Sequence, residues 1–262
     1  MAPAEMVAMI GVFDSGIGGL GVLREMIPDF VDDEIIYAAD RANAPYGTRS
    51  LAEVQALTHR HIRTLIDAGA TTVVLACNTA SAAALTSLRE EFPKTSFVGM
   101  EPAIKPAAAA SQTGKVGVMA TAATFQGKLF ESLLDQYAEG IEVSARAAPE
   151  WVTLVESGRI DGEDVVDQIR AHTAPLLRDG VDTLVLGCTH FTFLVDAIRA
   201  AVGLEITIID PAHAVARQAR LLHSGAGGPG SLRAMVTGDA SQFVRLSKTV
   251  AGISFPDGVL PL

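Results

Sequence analysis

Positive charge, cysteine and long apolar runs are all scarce in this chain of 262 residues. Lysine and arginine together number 20 against 30 aspartate and glutamate residues, which leaves a formal net charge of −10. Nucleic acids and anionic membrane surfaces bind clustered Lys and Arg, so this balance argues against both as the main partner. No stretch approaches the ~18 apolar residues that a membrane-spanning helix needs, and no basic segment precedes the apolar run at the N-terminus. We therefore expect a cytoplasmic protein whose partner is a small molecule.

Only two cysteines occur, and both stand in nearly the same sequence context. The segments VVLACNTAS and LVLGCTHFT align Cys77 with Cys188, Thr72 with Thr183, and one small residue before each thiol. A lone free cysteine is usually a buried small hydrophobe, and thiols stay reduced in the cytoplasm, so a structural disulfide is not expected. No spacing typical of a metal site is present. The repetition indicates that one structural motif, an apolar strand that ends in a small residue and a cysteine, occurs twice.

The composition and the order of apolar segments predict an α/β fold. With 49% hydrophobic and 19% charged residues, the chain can bury a substantial core. Continuous apolar runs, typical of covered parallel sheets, alternate with helical stretches such as 51–69, 83–92, 125–140 and 161–180. The predicted strands are VAMIGVF, EIIYAAD, TTVVLAC, SFVGM, KVGVMAT, IEVSARA, DTLVLGC and ITIID. Ligands of such sheets bind at the carboxyl ends of the strands, where both cysteines fall.

Further internal similarities indicate two related lobes. IGVFDS at 10–15 resembles VGVMAT at 116–121, which places Ser15 over Thr121. VGMEPA resembles IIDPAH, and in both a strand is followed by acid-Pro-Ala, in which the acid can cap a helix and Pro can take its first position. We predict two pseudo-symmetric, flavodoxin-like or Rossmann-like lobes with mainly parallel sheets and an active site between them.

Two facing thiols suit the inversion of a stereocentre, because one can remove a proton while the other supplies one to the opposite face. A free thiol with a pKa of ~8.5 is mostly protonated at neutral pH, and a helix N-terminus contributes only ~0.3–2 kcal/mol to its ionisation. Each thiol therefore needs a polar neighbour. Asp14, at another strand end, is the candidate for Cys77, as proton acceptor or ammonium partner; His190 is the candidate for Cys188.

The first motif also permits a different interpretation. Gly16, Gly18 and Gly21 spell G-x-G-x-x-G after a strand, and Asp40 ends the next strand, as in an NAD-binding site. This interpretation leaves the paired thiols unexplained, and the glycines would instead allow a tight turn and backbone donors near a carboxylate. A pyridoxal enzyme would need a lysine in a phosphate-binding context, which no lysine here has. A third alternative is a binding protein without turnover, against which both thiols and their neighbours argue.

The segments GVFDSGIGGLGVL, APYGTRS, ACNTASA, GMEPAIKPA, LVLGCTHF and VTGDASQFVRL together resemble the glutamate racemases of the aspartate/glutamate racemase superfamily. The resemblance runs nearly end to end, and His190 stands where aspartate racemases typically have Glu. It implies interconversion of L- and D-glutamate without cofactor or metal, D-glutamate for peptidoglycan synthesis, and a possible homodimer. It also implies one lobe of 1–98 plus 211–262 and another of 99–210.

The resemblance assigns roles to residues at the matching positions. Cys77 would act on D-glutamate and Cys188 on L-glutamate, assisted by Asp14 and His190, which also contact the substrate. Other residues would bind the substrate: Ser15, Asn78, Thr79 and Thr189 at the amino and α-carboxylate groups, Tyr46 and Gly47 at the side-chain carboxylate, and Thr121 and Thr124 in a Gly-Thr-x-x-Thr position where Ala120 replaces Gly.

Several positions depart from the pattern of the family. Arg41 replaces the usual Thr or Ser after Asp40, and we expect it to be a solvated loop charge. Thr192 replaces a Pro, and the family's Cys-Pro pair is missing from SARAAPEWV, so the register of the supporting acid Glu156 is not fixed. The remaining histidines are expected to have no metal or catalytic role: His59 and His61 on different sides of one helix, and His172, His213 and His223 as helix-surface or capping residues.

Overall fold

Two sheets made of parallel strands form the framework, in a computed structural model that describes residues 9–225 and 228–262. The larger sheet has the order β10-β9-β2-β1-β3-β4 and the smaller one β6-β5-β7-β8. The strands are Met9–Asp14 (β1), Glu34–Ala39 (β2), Ala70–Leu75 (β3), Ser96–Gly99 (β4), Lys115–Ala120 (β5), Glu142–Ala147 (β6), Thr183–Gly187 (β7), Thr207–Ile209 (β8), Ser231–Val236 (β9) and Val259–Pro261 (β10).

The smaller sheet repeats the central part of the larger one. The order β2-β1-β3-β4 corresponds strand for strand to β6-β5-β7-β8, and every pair is parallel. The matched segments of the sequence accordingly occupy matched strands: the two thiol motifs end β3 and β7. This confirms the predicted α/β fold of two pseudo-symmetric lobes with parallel sheets, in the flavodoxin-like order.

All eight predicted strands are present, and the prediction missed β9 and β10. Residues 7 and 8 of the first predicted strand lie outside the described residues. β9 is only partly buried and β10 has three residues at the edge of the sheet. Neither strand has the continuous apolar run of a covered strand, so their pairing with β2 and with each other is decided by tertiary contact.

Helices cover the sheets and begin close to the strand ends. Ser50 and Glu53 form a capping box at the start of the long helix 51–67, and Gly127 divides the predicted helix 125–140 into two. The helices are Leu20–Met26 (α1), Leu51–Asp67 (α2), Asn78–Glu91 (α3), Ile104–Ala110 (α4), Ala122–Gln126 (α5), Lys128–Tyr137 (α6), Pro149–Glu156 (α7), Glu163–Arg178 (α8), Val195–Val202 (α9), Ala212–Leu222 (α10) and Ala240–Ala251 (α11).

The main hydrophobic core extends across the boundary between the sheets. It joins Ile10 and Val12 of β1 to Leu184 of β7 through buried side chains of α1 and α7, and Trp151 of α7 packs edge-on against Phe191, with ring centroids 4.9 Å apart. This shared core holds the carboxyl ends of both sheets against each other. Within the described ranges, no helix is long and apolar enough to cross a membrane.

Candidate active site

A small cavity lies between the carboxyl ends of the two sheets, and both cysteines line it. Cys77 follows β3 and Cys188 follows β7, and the two residues are only 5% and 6% exposed. The volume open to the centre of a water molecule is about 20 Å³, which is little more than one such molecule occupies. The cavity is lined by Ser15, Pro45, Tyr46, Gly47, Thr48, Cys77, Asn78, Thr79, Thr121, Pro149, Val152, Cys188, Thr189 and His190.

Cys77 caps the N-terminus of α3, which therefore starts five residues before the predicted helical stretch. The Ala80 N–H donates to the thiol sulfur at 3.5 Å, and the thiol donates to the Ser15 hydroxyl at 3.8 Å. Burial, and next the charge of Asp14, raise the pKa of Cys77 to about 12. The N-terminal amide contact lowers the pKa too little to offset them. Cys77 is thus a protonated thiol in this environment.

Asp14 stands directly behind the cavity lining with no exposed surface. Its carboxylate accepts the Gly16 N–H at 2.7 Å and the Thr189 hydroxyl at 3.2 Å, so it bonds to the other lobe as well as its own. Burial raises the pKa of Asp14, while the nearby positive charge of His190 lowers it. Asp14 is therefore placed to exchange a proton or to pair with a cationic group that enters the cavity.

His190 connects Cys188 to a buried carboxylate. Its Nδ1 lies 3.7 Å from the Cys188 sulfur and its Nε2 lies 2.8 Å from Oε1 of Glu156. Burial lowers the pKa of His190, but the contacts with Cys188 and Glu156 outweigh it and raise that pKa well above the ordinary value. With Nε2–H donating to the carboxylate, Nδ1 of the neutral ring can accept the thiol proton. This arrangement can generate a thiolate paired with an imidazolium ion.

Glu156 bonds to three parts of the molecule. Oε1 accepts the Ile17 N–H at 2.8 Å as well as the His190 ring, and Oε2 lies 3.4 Å from Nη2 of Arg41. The pKa of Glu156 is lowered: burial opposes ionisation, but the His190 contact outweighs it, helped by the Ile17 N–H and Arg41.

The expectation that Arg41 is a solvated loop charge is wrong. Its side chain is only 9% exposed, because the loop after β2 lies against α7 of the other lobe and places the guanidinium beside a carboxylate. A cation that is nearly buried requires such a partner.

The G-x-G-x-x-G segment contacts the other lobe. A Cβ atom at Gly16 would overlap the Glu156 carboxylate, and one at Gly18 would lie 2.5 Å from Nδ1 of His190, which is also too close. The N–H groups of this turn donate to protein carboxylates. The glycines thus admit the side chains of the second lobe, in the place where the dinucleotide interpretation requires a pyrophosphate.

Asp40 also has a role other than the ribose contact of that interpretation. It is fully buried and accepts the Tyr46 hydroxyl and the Thr237 hydroxyl, each at 2.7 Å, and Nε2 of His61 lies 3.1 Å away. Burial raises the pKa of Asp40, but these contacts, with that of Asn43, outweigh it and hold the pKa well below the ordinary value. Asp40 anchors the Tyr46 turn that forms one wall of the cavity.

Polar groups from both lobes meet on that wall. The hydroxyls of Thr79, Thr121 and Thr124 lie within 2.9–3.4 Å of one another, and a Cβ at Gly47 would touch Thr121 at 2.5 Å. Among the described residues, neither amide atom of the buried Asn78 side chain has a hydrogen-bond partner. A buried amide without partners at a cavity is a binding group for a polar ligand.

The structure brings together every residue that the sequence pointed to. Ten of the predicted residues line the cavity, and Asp14 and Thr124 stand behind it, bonded to lining residues. The sequence interpretation missed four lining residues: Pro45, Thr48, Pro149 and Val152. The first two flank the predicted Tyr46 turn and could have been found there, whereas Pro149 and Val152 carry no chemical signal.

The other histidines lie outside the cavity lining. His223 caps the C-terminal end of α10, the second of the two predicted alternatives, and its ring is buried between the Thr72 hydroxyl and the Asp33 carboxylate, each at 3.1 Å. His61 is buried against Phe13, and His59 pairs with Glu91. Over residues 9–225 and 228–262, no group of three or more His, Cys, Asp or Glu is arranged to hold a metal ion.

Comparison with known proteins identifies the family to which the chain belongs. A sequence profile described as Asp/Glu/Hydantoin racemase matches residues 21–219. Glutamate racemase of Herpetosiphon aurantiacus is 43% identical over 243 residues, which cover 90% of this chain and 95% of the relative. The crystal structure of glutamate racemase isoform RacE1 from Bacillus anthracis has a TM-score of 0.89 at 31% identity over 98% of both chains. That of Escherichia coli glutamate racemase with L-glutamate and activator UDP-MurNAc-ala has a TM-score of 0.85 at 29% identity, also over 98% of both. The chain therefore belongs to the Asp/Glu/Hydantoin racemase family and is an enzyme of its glutamate racemase group.

Proposed function

We propose that the chain interconverts L- and D-glutamate by a two-base 1,1-proton transfer, with Cys77 and Cys188 as the two bases. The observation that carries this proposal is that two thiols, at equivalent strand ends of two matching sheets, line one cavity. A pair of chemically identical groups suits a reaction that must run equally well from either enantiomer. The E. coli relative was crystallised with L-glutamate, which supports the same substrate here.

The reaction from L-glutamate starts with ionisation of Cys188. His190 takes the thiol proton at Nδ1, and Glu156 stabilises the imidazolium ion at Nε2. The thiolate then removes the α-proton; the C–H bond breaks, an S–H bond forms, and the electron pair stays on the α-carbon, delocalised into the α-carboxylate. Cys77 gives its proton to the opposite face, which leaves D-glutamate and a thiolate at Cys77.

The reverse reaction uses Cys77 as the base. Its raised pKa means that Cys77 needs a nearby positive charge to ionise. The ammonium group of glutamate, held beside Asp14, would supply that charge and would also pair with the Asp14 carboxylate. Binding of the substrate thus prepares the thiol that reacts with it.

The polar lining would bind the rest of the substrate. The free amide of Asn78, with Ser15, Thr79 and Thr189, supplies donors for the amino acid end, and the turn of Tyr46 and Gly47 supplies them for the side-chain carboxylate. Thr121 extends this wall, and Thr124 supports it through their hydrogen bond. Donors directed at the α-carboxylate stabilise the charge that develops there in the transition state.

The small volume of the cavity implies that the lobes separate to admit glutamate. We propose that 1–98 plus 211–262 move as one lobe and 99–210 as the other, a division that agrees with the sheet to which each described strand belongs except at Gly99, the last residue of β4. We also propose that the enzyme is cytoplasmic and forms a homodimer. Its product D-glutamate would be used in peptidoglycan synthesis. These proposals rest on the resemblance of the sequence.

The test is α-proton exchange in heavy water with L-glutamate, D-glutamate and both aspartates, without added cofactor. We expect deuterium at the α-carbon of both glutamates together with inversion. We expect Cys77→Ser and Cys188→Ser each to abolish racemisation, because an alcohol is too weak an acid to replace a thiol as base or donor. Racemisation at the parental rate by either variant would remove that thiol from the mechanism.

A further inference from the structure

We propose that Arg41 is a positioning residue for the Cys188 half of the reaction: it holds the Glu156 carboxylate against His190 and moderates the basicity of the imidazole that serves Cys188. This inference rests on the proposed function. It concerns a nearly buried cation, whose side chain is only 9% exposed.

An unbroken series of contacts leads from Arg41 to the sulfur of Cys188. Nη2 of Arg41 lies 3.4 Å from Oε2 of Glu156, Oε1 of the same carboxylate lies 2.8 Å from Nε2 of His190, and Nδ1 of that ring lies 3.7 Å from the sulfur. The two carboxylate oxygens thus face opposite cations. Rotation of the carboxylate would break the Arg41 and His190 contacts together.

Arg41 is itself held from two sides. It begins the turn Arg41–Asn43 directly after β2, and Nη1 lies 3.5 Å from the main-chain oxygen of Asp239, the residue that caps α11. The guanidinium therefore links the larger sheet and α11 to α7 of the other lobe. Thr or Ser at this position has a side chain too short to reach the carboxylate, and the fork of Arg can serve two acceptors at once.

The charge of Arg41 opposes protonation of His190. The charged or titratable groups that face the His190 ring are Asp14 from the end of β1, Glu156 from α7 and Cys188 from its own turn, with Arg41 behind the carboxylate. A carboxylate shared by two cations stabilises each less than it would stabilise one alone. Removal of the Arg41 charge must therefore shift the pKa values of Glu156 and His190 upward, in the same direction.

The experiment compares Arg41→Met, which keeps the length without the charge, with Arg41→Lys, which keeps the charge without the fork. Arg170→Met is the control, because Arg170 is exposed and pairs with Asp167 on the surface of α8. The value of kcat/KM is measured against pH for both enantiomers. Because enantiomers have equal free energy in water, kcat/KM must change equally in both directions, and kcat and KM are reported separately for each.

We expect Arg41→Met to lower kcat/KM about tenfold, equivalent to ~1.4 kcal/mol, and to move the limbs of its pH profile to higher pH. Arg41→Lys should return the limbs toward their parental positions with only part of the rate. Titration of the His190 ring by ¹⁵N NMR in histidine-labelled protein should show the same upward shift in Arg41→Met. Unchanged melting temperatures identify variants that fold normally.

Two results would overturn the proposal. One is an Arg41→Met enzyme that matches Arg170→Met in rate, pH profile and His190 titration. The other is a loss of rate that is equal in the Met and Lys variants with unmoved pH limbs, since a purely structural role predicts that pattern. If the parental enzyme does not racemise glutamate, the proposed function fails on its own, and the NMR titration still decides whether Arg41 controls His190.

Discussion

Gly18 tests the conclusion that the glycine-rich turn exists to admit the second lobe. Its backbone lies outside the left-handed region, so alanine can adopt the conformation without strain. A Cβ atom there would lie 2.5 Å from Nδ1 of His190 and 2.5 Å from the hydroxyl of Thr189. Ordinary contact begins near 3.4 Å, so both side chains would have to retreat by most of an ångström. Nδ1 is the atom that faces the Cys188 sulfur.

Gly18→Ala is expected to impair catalysis at least as much as it lowers stability. A displacement of ~1 Å in a catalytic group costs on the order of 100-fold in rate, so we expect kcat/KM to fall by about that factor. The steric conflict costs ~1–3 kcal/mol in overpacked sites, and the reduced freedom of the unfolded chain offsets ~0.4–1 kcal/mol of it. The free energy of unfolding should therefore fall by roughly 0–2.6 kcal/mol.

Gly21→Ala is the matched control in the same glycine-rich segment, at the second residue of α1. Its Cβ would come 3.0 Å from the methyl group of Thr192, a lesser conflict with a residue outside the cavity lining. Racemisation is followed by polarimetry and unfolding by urea titration, for both variants. If Gly18→Ala retains the parental kcat/KM, or if Gly21→Ala loses as much kcat/KM as Gly18→Ala, then the close approach of His190 is not the reason that glycine is required at position 18.

Two further predictions concern buried polar groups away from the thiols. The pKa of Asp40 lies below its ordinary value of 3.8, so the contacts of this carboxylate stabilise the fold above that pH, and the stabilisation is lost as the pH falls toward the folded-state pKa. Asp40→Asn should therefore lower the free energy of unfolding at pH 7 and make it fall less steeply between about pH 4 and 2. Urea unfolding across that pH range measures this, and a stability curve of the variant that runs parallel to that of the parent would contradict the prediction. His223→Ala should lower the free energy of unfolding by about 1–3 kcal/mol for each buried partner left unpaired, with little change in kcat/KM. The control is His213→Ala, at a side chain that is 76% exposed, and its free energy of unfolding should stay within ~0.5 kcal/mol of the parent. Equal urea midpoints for the two variants would refute the structural role of His223.

The central strands and the thiol pair could be predicted because their signals are local. A strand covered on both faces must be apolar along its length, so β1, β3, β5 and β7 are visible as continuous runs, and the residue that follows each run must lie at the carboxyl edge of its sheet. Their repetition predicted equivalent positions in two lobes. The helix α3 was placed too late because Cys77 is a helix cap as well as a thiol, a dual role that the sequence pattern does not show.

The sequence by itself determined the strands β1 to β8, the two lobes and the chemistry available at their edges, because apolar periodicity and residue type are properties of short segments. The tertiary structure decided which charged groups became partners. Arg41, Glu156 and His190 are separated by more than a hundred residues at their widest, and no local pattern states that a loop after β2 will face α7. The same holds for His223, whose burial depends on Asp33, just before β2, and on Thr72 of β3. Electrostatic partnership in a buried site depends on distances across the fold, and these distances exist only once both lobes have packed.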